Sequence, residues 1–410
     1  MISKQERQND ILSLISQLDI SPTMYKNAAE KYHTLASFLK SYGIEADIYP
    51  HGSFAFGTVV RPSAKDRDAA YDLDFICQLK ESKDQIAPSD LRRKIETALN
   101  SSELYSGKLH VYEECFTIEY ADVNGIGFTI DIVPATDETL SRKIELQKKS
   151  PRPDLLTTAI AIPRHNGERN YSWITNNPRG FQKWFEEINQ PFLAYNREDR
   201  RLNLFKSNRT VFNSIDDIPM GLERSSMQRV VQILKYHRDT YYLKLMREDS
   251  NELKPISGII NTIVAGISKS ASPQLEVFDL LQYVLQELNI YSTFQTLNYN
   301  QFVQKYGTRS VITRSNGDSK WIVQNPADPE DNLADKWNKN SDIPKYFFIW
   351  LAACKKDLVE SLNLQNDQFR TAMENAFGGL LIQKNWADKY KDTTRSTPKP
   401  IVTFPKPYQK

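Results

Sequence analysis

Three aspartates in two short β-rich runs are the residues with chemistry to offer. In Tyr71-Asp72-Leu73-Asp74-Phe75-Ile76 acidic and apolar residues alternate, so on a strand Asp72 and Asp74 share one face while Leu73 and Phe75 take the other. Two carboxylates about 7 Å apart along one strand disfavour joint ionisation, and a hard divalent cation between them removes that penalty. Mg²⁺ takes one or two carboxylates plus waters and substrate phosphates, which a strand-borne Asp-x-Asp can supply. A third carboxylate, Asp131, stands in Phe128-Thr129-Ile130-Asp131-Ile132-Val133, with Ile130 and Ile132 on the opposite face. On a neighbouring strand it would admit a second metal ion about 3.5 to 4 Å from the first, as in-line phosphoryl displacement requires. Asp-x-Asp alone is common on exposed strands, whereas the constellation of three is far more specific.

Ahead of the pair lies His51-Gly52-Ser53. Glycine lets a backbone approach closely, and free N–H groups at a helix start favour an anion. A Gly-Ser dipeptide by itself is usually only a turn; its value comes from the Asp-x-Asp that follows.

Gly52-Ser53, then Asp72-x-Asp74 on a strand, then Asp131 on a later strand, resembles the signature of the DNA polymerase β-type nucleotidyltransferases. Within that superfamily HGSFAFGTVVRP at 51–62, YDLDFI at 71–76 and TIDIVPA at 129–135 are most similar to the bacterial relatives of cyclic GMP-AMP synthase and oligoadenylate synthase, the CD-NTases. The resemblance implies a two-lobed α+β fold: a small mixed sheet with helices, then a mainly helical C-terminal lobe, with the nucleotide cleft between them. It implies a nucleotidyltransferase that makes cyclic di- or trinucleotide second messengers in anti-phage (CBASS) defence. Its substrates would be NTPs, ATP and also GTP, UTP or CTP, and its partners regulatory or effector proteins of the same system. Asp72, Asp74 and Asp131 would be catalytic and would hold two Mg²⁺ ions, with Mn²⁺ as a substitute. Gly52 and Ser53 would hold phosphates. Lys235, in Ile233-Leu234-Lys235-Tyr236-His237, matches a second-lobe lysine that reaches the triphosphate, with a solvated lysine on a helix face as the alternative, and Ser257 matches a serine placed against the phosphates at a helix start, with capping of its own helix as the alternative. The segment VQNPADPEDNLADKW at 323–337 closely resembles an oligoadenylate synthase segment, Asp-Pro-Ala-Asp-Pro-x-x-Asn, with Asn325 where that family has aspartate. It reads as an architectural marker.

The elements that must position these residues follow from periodicity and caps. Residues 5–18 and 22–42 read as helices. The second has Ser21 as N-cap, Pro22 at the first helical position, Tyr25, Ala28, Tyr32, Leu35 and Leu39 at helical spacing and Gly43 as the stop; it is expected to be a spine packed on the sheet. A strand over 44–49 delivers the chain to Gly52. The charged segment 61–71 reads as a loop whose Arg61, Lys65 and Arg67 are solvated or face phosphates. Residues 89–99 form an N-capped amphipathic helix, and 108–121 one strand leading through an Asn124-Gly125 turn into the Asp131 strand. From 136 to about 215 the pattern is less regular, with turns at Asn166-Gly167 and Asn177-Pro178 and a helix over about 179–188. Tyr171, Trp173, Trp184 and Phe185 there are expected to pack in the core, with base stacking as the alternative. Residues 222–244 form a strong helix with Met227, Val230, Val231, Leu234 and Tyr241 inward. Further helices are expected over 259–267, within 274–304 and over 343–379. The catalytic lobe is placed at 1–215, the helical lobe at 216–387 and a basic, Pro-rich tail, disordered or docked on a partner, from 388.

A chain of 410 residues can bury two cores. Basic and acidic residues nearly cancel, 53 against 51, so no dedicated nucleic-acid surface is evident. Cys77, Cys115 and Cys354 lie in apolar runs without metal-ligand spacing and read as reduced thiols. No stretch approaches the roughly twenty apolar residues of a membrane span, and the polar N-terminus has no signal-peptide core, so no membrane role and cytoplasmic residence are expected. Two rival functions stay open. One is a template-independent transferase making linear oligonucleotides or modifying RNA ends, against which the near-neutral charge weighs mildly. The other is a catalytically silent nucleotide sensor or scaffold, against which the presence of all three carboxylates argues.

Overall fold

The computed structural model describes residues 2–61, 71–123, 126–168, 170–245, 247–315 and 317–391, with the backbone alone for 72, 121–123 and 126–128. Two helices open the chain, α1 Lys4–Ser16 and α2 Pro22–Ser41, each closed at its start by a serine hydroxyl that accepts from a first-turn amide. After Gly43 come β1 Ala46–His51 and a single helical turn, α3 Gly52–Ala55. Then follow β2 Tyr71–Ser82, α4 Pro88–Ser101, β3 Leu109–Val111, β4 Phe116–Val123 and β5 Ile126–Asp137. Next are α5 Leu140–Lys149, β6 Ile160–His165, β7 Tyr171–Asn176, α6 Pro178–Ala194 and α7 Arg197–Ser207. The remainder is mostly helical: α8 Ser226–Lys244, α9 Ser250–Leu253, α10 Ser257–Ser268, α11 Val277–Tyr291 and α12 Tyr299–Tyr306. A short hairpin of β8 Thr313–Arg314 and β9 Trp321–Ile322 precedes α13 Asp342–Leu358, α14 Asn366–Phe377 and α15 Gly379–Trp386.

The main sheet runs β1-β2-β5-β4-β3, with β6 on the end of β5 and β7 on β6. Among the described residues only β2 and β5 pair in parallel; the other neighbours are antiparallel. Side-chain alternation sends Leu73, Phe75, Ile130 and Ile132 into one core with Ala28, Leu35 and Leu39 of α2 and Leu91, Ile95 and Leu99 of α4. The expected spine is therefore present, and Tyr32 of α2 stacks on Phe75 at 4.9 Å. A second core joins α8, α10, α11, α13 and α14. It also takes Ile11, Leu14 and Ile15 of α1 and Phe185 and Phe192 of α6, so two helices from before residue 215 build the helical core. Around α8, thirteen residues are buried, because helices pack it on several sides. Among the described residues no helix is long and apolar enough to cross a membrane.

Several expectations change. The single strand over 108–121 is two, β3 and β4, folded back through a turn in which the Tyr112 amide donates to the Cys115 carbonyl; Glu113-Glu114 interrupts the alternation there. The Asn124-Gly125 turn lies outside the described residues, as do Lys65 and Arg67. The cap position of α4 falls on Ala87, which offers no side-chain bond, and Pro88 rather than a capping side chain starts the helix. The less regular stretch after 136 holds α5, β6, β7 and α7, and α6 runs on to Ala194, past the expected end near 188. Residues 388–391 are not tail-like: Tyr390 is 3% exposed, its ring packs on Phe369 and Trp386, and its hydroxyl donates to Asp10.

Candidate active site

Asp74 on β2 and Asp131 on β5 are register partners across the parallel pair. Asp131 is also the register partner of Thr117 on β4, whose hydroxyl donates to its Oδ1 and orients the carboxylate. Asp72 lies on β2 in register with Thr129, and its side chain is outside the described residues. On the other side of β2, His51 is the register partner of Asp74, so β1 ends beside the carboxylate and α3 begins there. Gly52 has φ +62°, and a Cβ at that position would stand 2.4 Å from Asp74 Oδ2. The backbone thus reaches Asp74 as closely as glycine alone permits.

A cleft of about 540 Å³ opens over this edge. Its near wall is His51, Gly52, Ser53 and Asp74, and its far wall comes from α8 and α10, including Lys235, Arg238, Asp239, Tyr242, Ser257 and Asn261. Asp131 stands next to Asp74 but does not line the cleft among the described residues. Lys235 is 6% exposed, not solvated, and its ammonium donates to the Thr58 carbonyl at 3.2 Å. Ser257 does not cap its own helix: Ile256 holds the cap position, and the Ser257 hydroxyl accepts from Arg238 at 3.2 Å. Among the described residues, then, the cleft gathers Gly52, Ser53, Asp74, Lys235 and Ser257.

Sequence reasoning missed Arg238, Asp239 and Tyr242. The signal was available, because 235, 238, 239 and 242 fall at i, i+3, i+4 and i+7 and share one helical face. It also missed His51, Phe181 and Asn261, which no local pattern marks. Of the four aromatics weighed for stacking, none lines the cleft among the described residues. Phe185 is 1% exposed against Phe56, Trp184 packs on Phe181, Trp173 joins the sheet core and Tyr171 stacks on His165. Phe56, Phe181 and Tyr242 take that place. Arg61 donates to the Gln17 carbonyl, 3.0 Å away, at the end of α1.

Burial sets the charge state of neutral groups in and near the cleft. It lowers His51 from 6.5 to about 4, so the imidazole is neutral at physiological pH, and its Nε2 is buried with no hydrogen-bond partner among the described residues. Burial, then the negative charge of Asp131, push the Cys115 thiol up to about 12. Among the described residues no three His, Cys, Asp or Glu side chains form a metal-binding group. Asp74 and Asp131 nevertheless offer adjacent hard oxygen donors, one of them fixed by Thr117 and the other beside a glycine backbone, which suits Mg²⁺ and fits no soft metal.

Residues 6–148 match the family described as the Second Messenger Oligonucleotide or Dinucleotide Synthetase domain. A c-di-GMP synthase from Roseivirga ehrenbergii is 21% identical over 359 residues, covering 85% of this chain and 78% of that protein. Among solved structures, the CD-NTase CdnG of Bradyrhizobium diazoefficiens in complex with GTP superposes with a TM-score of 0.64 at 18% identity, covering 92% of this chain and 98% of that one. CdnC of E. coli MS115-1, solved with a HORMA protein, gives 0.54 at 15% identity, covering 90% and 96%. The fold is that of the polymerase β-like nucleotidyltransferases.

Proposed function

We propose that this chain is a CD-NTase, which its domain match and its fold support, and that it joins nucleoside triphosphates with release of pyrophosphate into a cyclic di- or trinucleotide second messenger. The observation that carries this reading is Asp74, in register with Asp131 and beside Gly52-Ser53, on the cleft wall opposite the buried Lys235 and Arg238 of α8. The name of the c-di-GMP synthase and the GTP bound to CdnG support GTP beside ATP among the candidate substrates. The CdnC–HORMA complex makes a regulatory protein the partner to seek. The reaction would take place in the cytoplasm, where its substrates are.

Asp72, Asp74 and Asp131 would hold two Mg²⁺ ions, or Mn²⁺, which when bound supply charge neutralisation at the α-phosphate and at the departing pyrophosphate. The chain's own groups do the rest. Ser53 and the α3 amides bind the triphosphate from one wall, and Lys235, with Arg238 and Ser257 behind it, neutralises it from the other. Asp131, oriented by Thr117, receives the proton of the attacking ribose hydroxyl. That oxygen bonds to the α-phosphorus as the bond to pyrophosphate breaks, and a second such attack closes the ring. Phe181 and Tyr242 offer apolar faces to a base.

The test is incubation with four labelled NTPs and Mg²⁺ or Mn²⁺, followed by phosphatase. Phosphatase-resistant products that disappear in Asp72→Asn, Asp74→Asn and Asp131→Asn support cyclisation. A phosphatase-sensitive ladder would replace it with the linear reading.

A further inference from the structure

Behind the Gly52-Ser53 turn the chain runs through Phe56, Gly57, Thr58 and Val59, all close-packed and, apart from the glycine's missing side chain, deeply buried. The amides of Phe56, Gly57 and Thr58 donate back to Gly52, Phe54 and Ser53, which closes α3. The carbonyls of Phe56, Thr58 and Val59 face away from α3 and need donors. Each receives one from α8. Gln228 Nε2 donates to Phe56 O at 2.8 Å, Gln232 Nε2 to Val59 O at 2.7 Å and Lys235 Nζ to Thr58 O at 3.2 Å.

Both amides are locked in orientation. Gln228 Oε1 accepts from the Ser225 amide at 2.8 Å in the α8 capping box, which leaves its NH₂ group toward Phe56. Gln232 Oε1 accepts from Arg229 at 3.0 Å, and its NH₂ also donates to Asp19 at 2.7 Å, tying in the α1–α2 junction. Gly57 has φ +61°, and a Cβ there would lie 2.5 Å from Gln228 Nε2, so the loop approaches the helix as nearly as a backbone can.

We infer that Gln228 and Gln232 are positioning residues: by fastening the loop behind Gly52-Ser53 to α8, they set the distance between the two walls of the cleft. The helix that carries Lys235 and Arg238 into the far wall thereby also fixes the near wall. Neither glutamine lines the cleft, so each would act through the loop. This inference rests on the proposed triphosphate site.

The experiment uses the full chain and inorganic triphosphate with Mg²⁺, a probe without a base, by calorimetry. Gln228→Glu is the decisive variant, because a carboxylate at that position still accepts from Ser225 and keeps the capping box but no longer donates to Phe56 O. Gln232→Met is the second, retaining volume without donors. Gln228→Glu should weaken triphosphate binding about tenfold, the size expected for losing one buried hydrogen bond, Gln232→Met, which loses its bonds to Val59 and Asp19 and from Arg229, at least as much, and each should raise KM for NTP more than it lowers kcat. Far-UV circular dichroism and Tm exclude a general loss of structure. If wild type binds triphosphate and folded Gln228→Glu and Gln232→Met bind it equally well, the inference is overturned. If wild type itself binds neither triphosphate nor NTP, it is the proposed function that fails.

Discussion

Gly52 illustrates how little slack the candidate site has. Alanine there would place Cβ 2.4 Å from Asp74 Oδ2 on a backbone with φ +62°. We expect Gly52→Ala to lower NTP turnover at least about tenfold and to reduce stability by about 1–2 kcal/mol, read by pyrophosphate release and denaturant unfolding. Asp74→Asn and Asp131→Asn keep shape and remove the hard anionic donors, so pyrophosphate release should fall by roughly two orders of magnitude or more while circular dichroism is retained. His51 makes a pH prediction. Its folded value is about 4 against 6.5 in the free state. Below 6.5 the unfolded chain takes up a proton that the folded chain refuses, so this contribution to stability is complete above about 6.5 and declines as pH falls toward 4. Tm measured from pH 7 to pH 5 should fall, and the fall should be shallower in His51→Gln. The aspartates were legible at this scale because alternation on a strand is a local rule. His51 and Asn261 were not, since only their burial beside other elements brings them to the cleft.

At the scale of elements, capped helices were the most readable feature. Ser21 and Asn177 mark their helices as local chemistry requires, whereas α8 starts at Ser226 behind its Ser225 cap, later than the expected start at 222. The 323–337 marker loop shows what such chemistry leaves out. Asn177 is 2% exposed and uses its whole amide: Oδ1 accepts from Gly180 N at 3.1 Å and Thr158 at 2.9 Å, while Nδ2 donates to Leu155 O and Ala327 O, each at 2.9 Å. It therefore joins the start of α6 to the marker loop 150 residues later. Asn177→Ala should cost about 2–3 kcal/mol in denaturant unfolding, since four buried groups lose a partner. The departure at Asn325 is explained by its partner, because its Nδ2 donates to Asp331 Oδ2 at 2.9 Å. Aspartate there would set two carboxylates together, so Asn325→Asp should lower Tm and the added Asp331→Asn should restore it. The β3–β4 hairpin, in contrast, was hidden in an apparently continuous run, because its turn has no Gly, Pro or Asn to mark it.

Across the whole molecule, distant segments close on one another. Tyr390 packs on α14 and α15 and reaches Asp10 of α1, while Arg7 of α1 donates to the carbonyls of Leu362 and Leu364, the latter at 2.7 Å. Tyr390→Ala should cost about 3–5 kcal/mol, the range for removing a buried aromatic ring, and should loosen α1 in hydrogen exchange. By itself the sequence determined the α+β class, the spine helix, the strand pair bearing the aspartates and the Gly-Ser turn, because period and capping act within a few residues. Only the tertiary structure decided that α1 and α6 join the helical core, that Lys235 is buried rather than solvated, and that α8 holds the turn behind Gly52. Those outcomes depend on which surfaces meet across tens to hundreds of residues, and no local period encodes such a meeting.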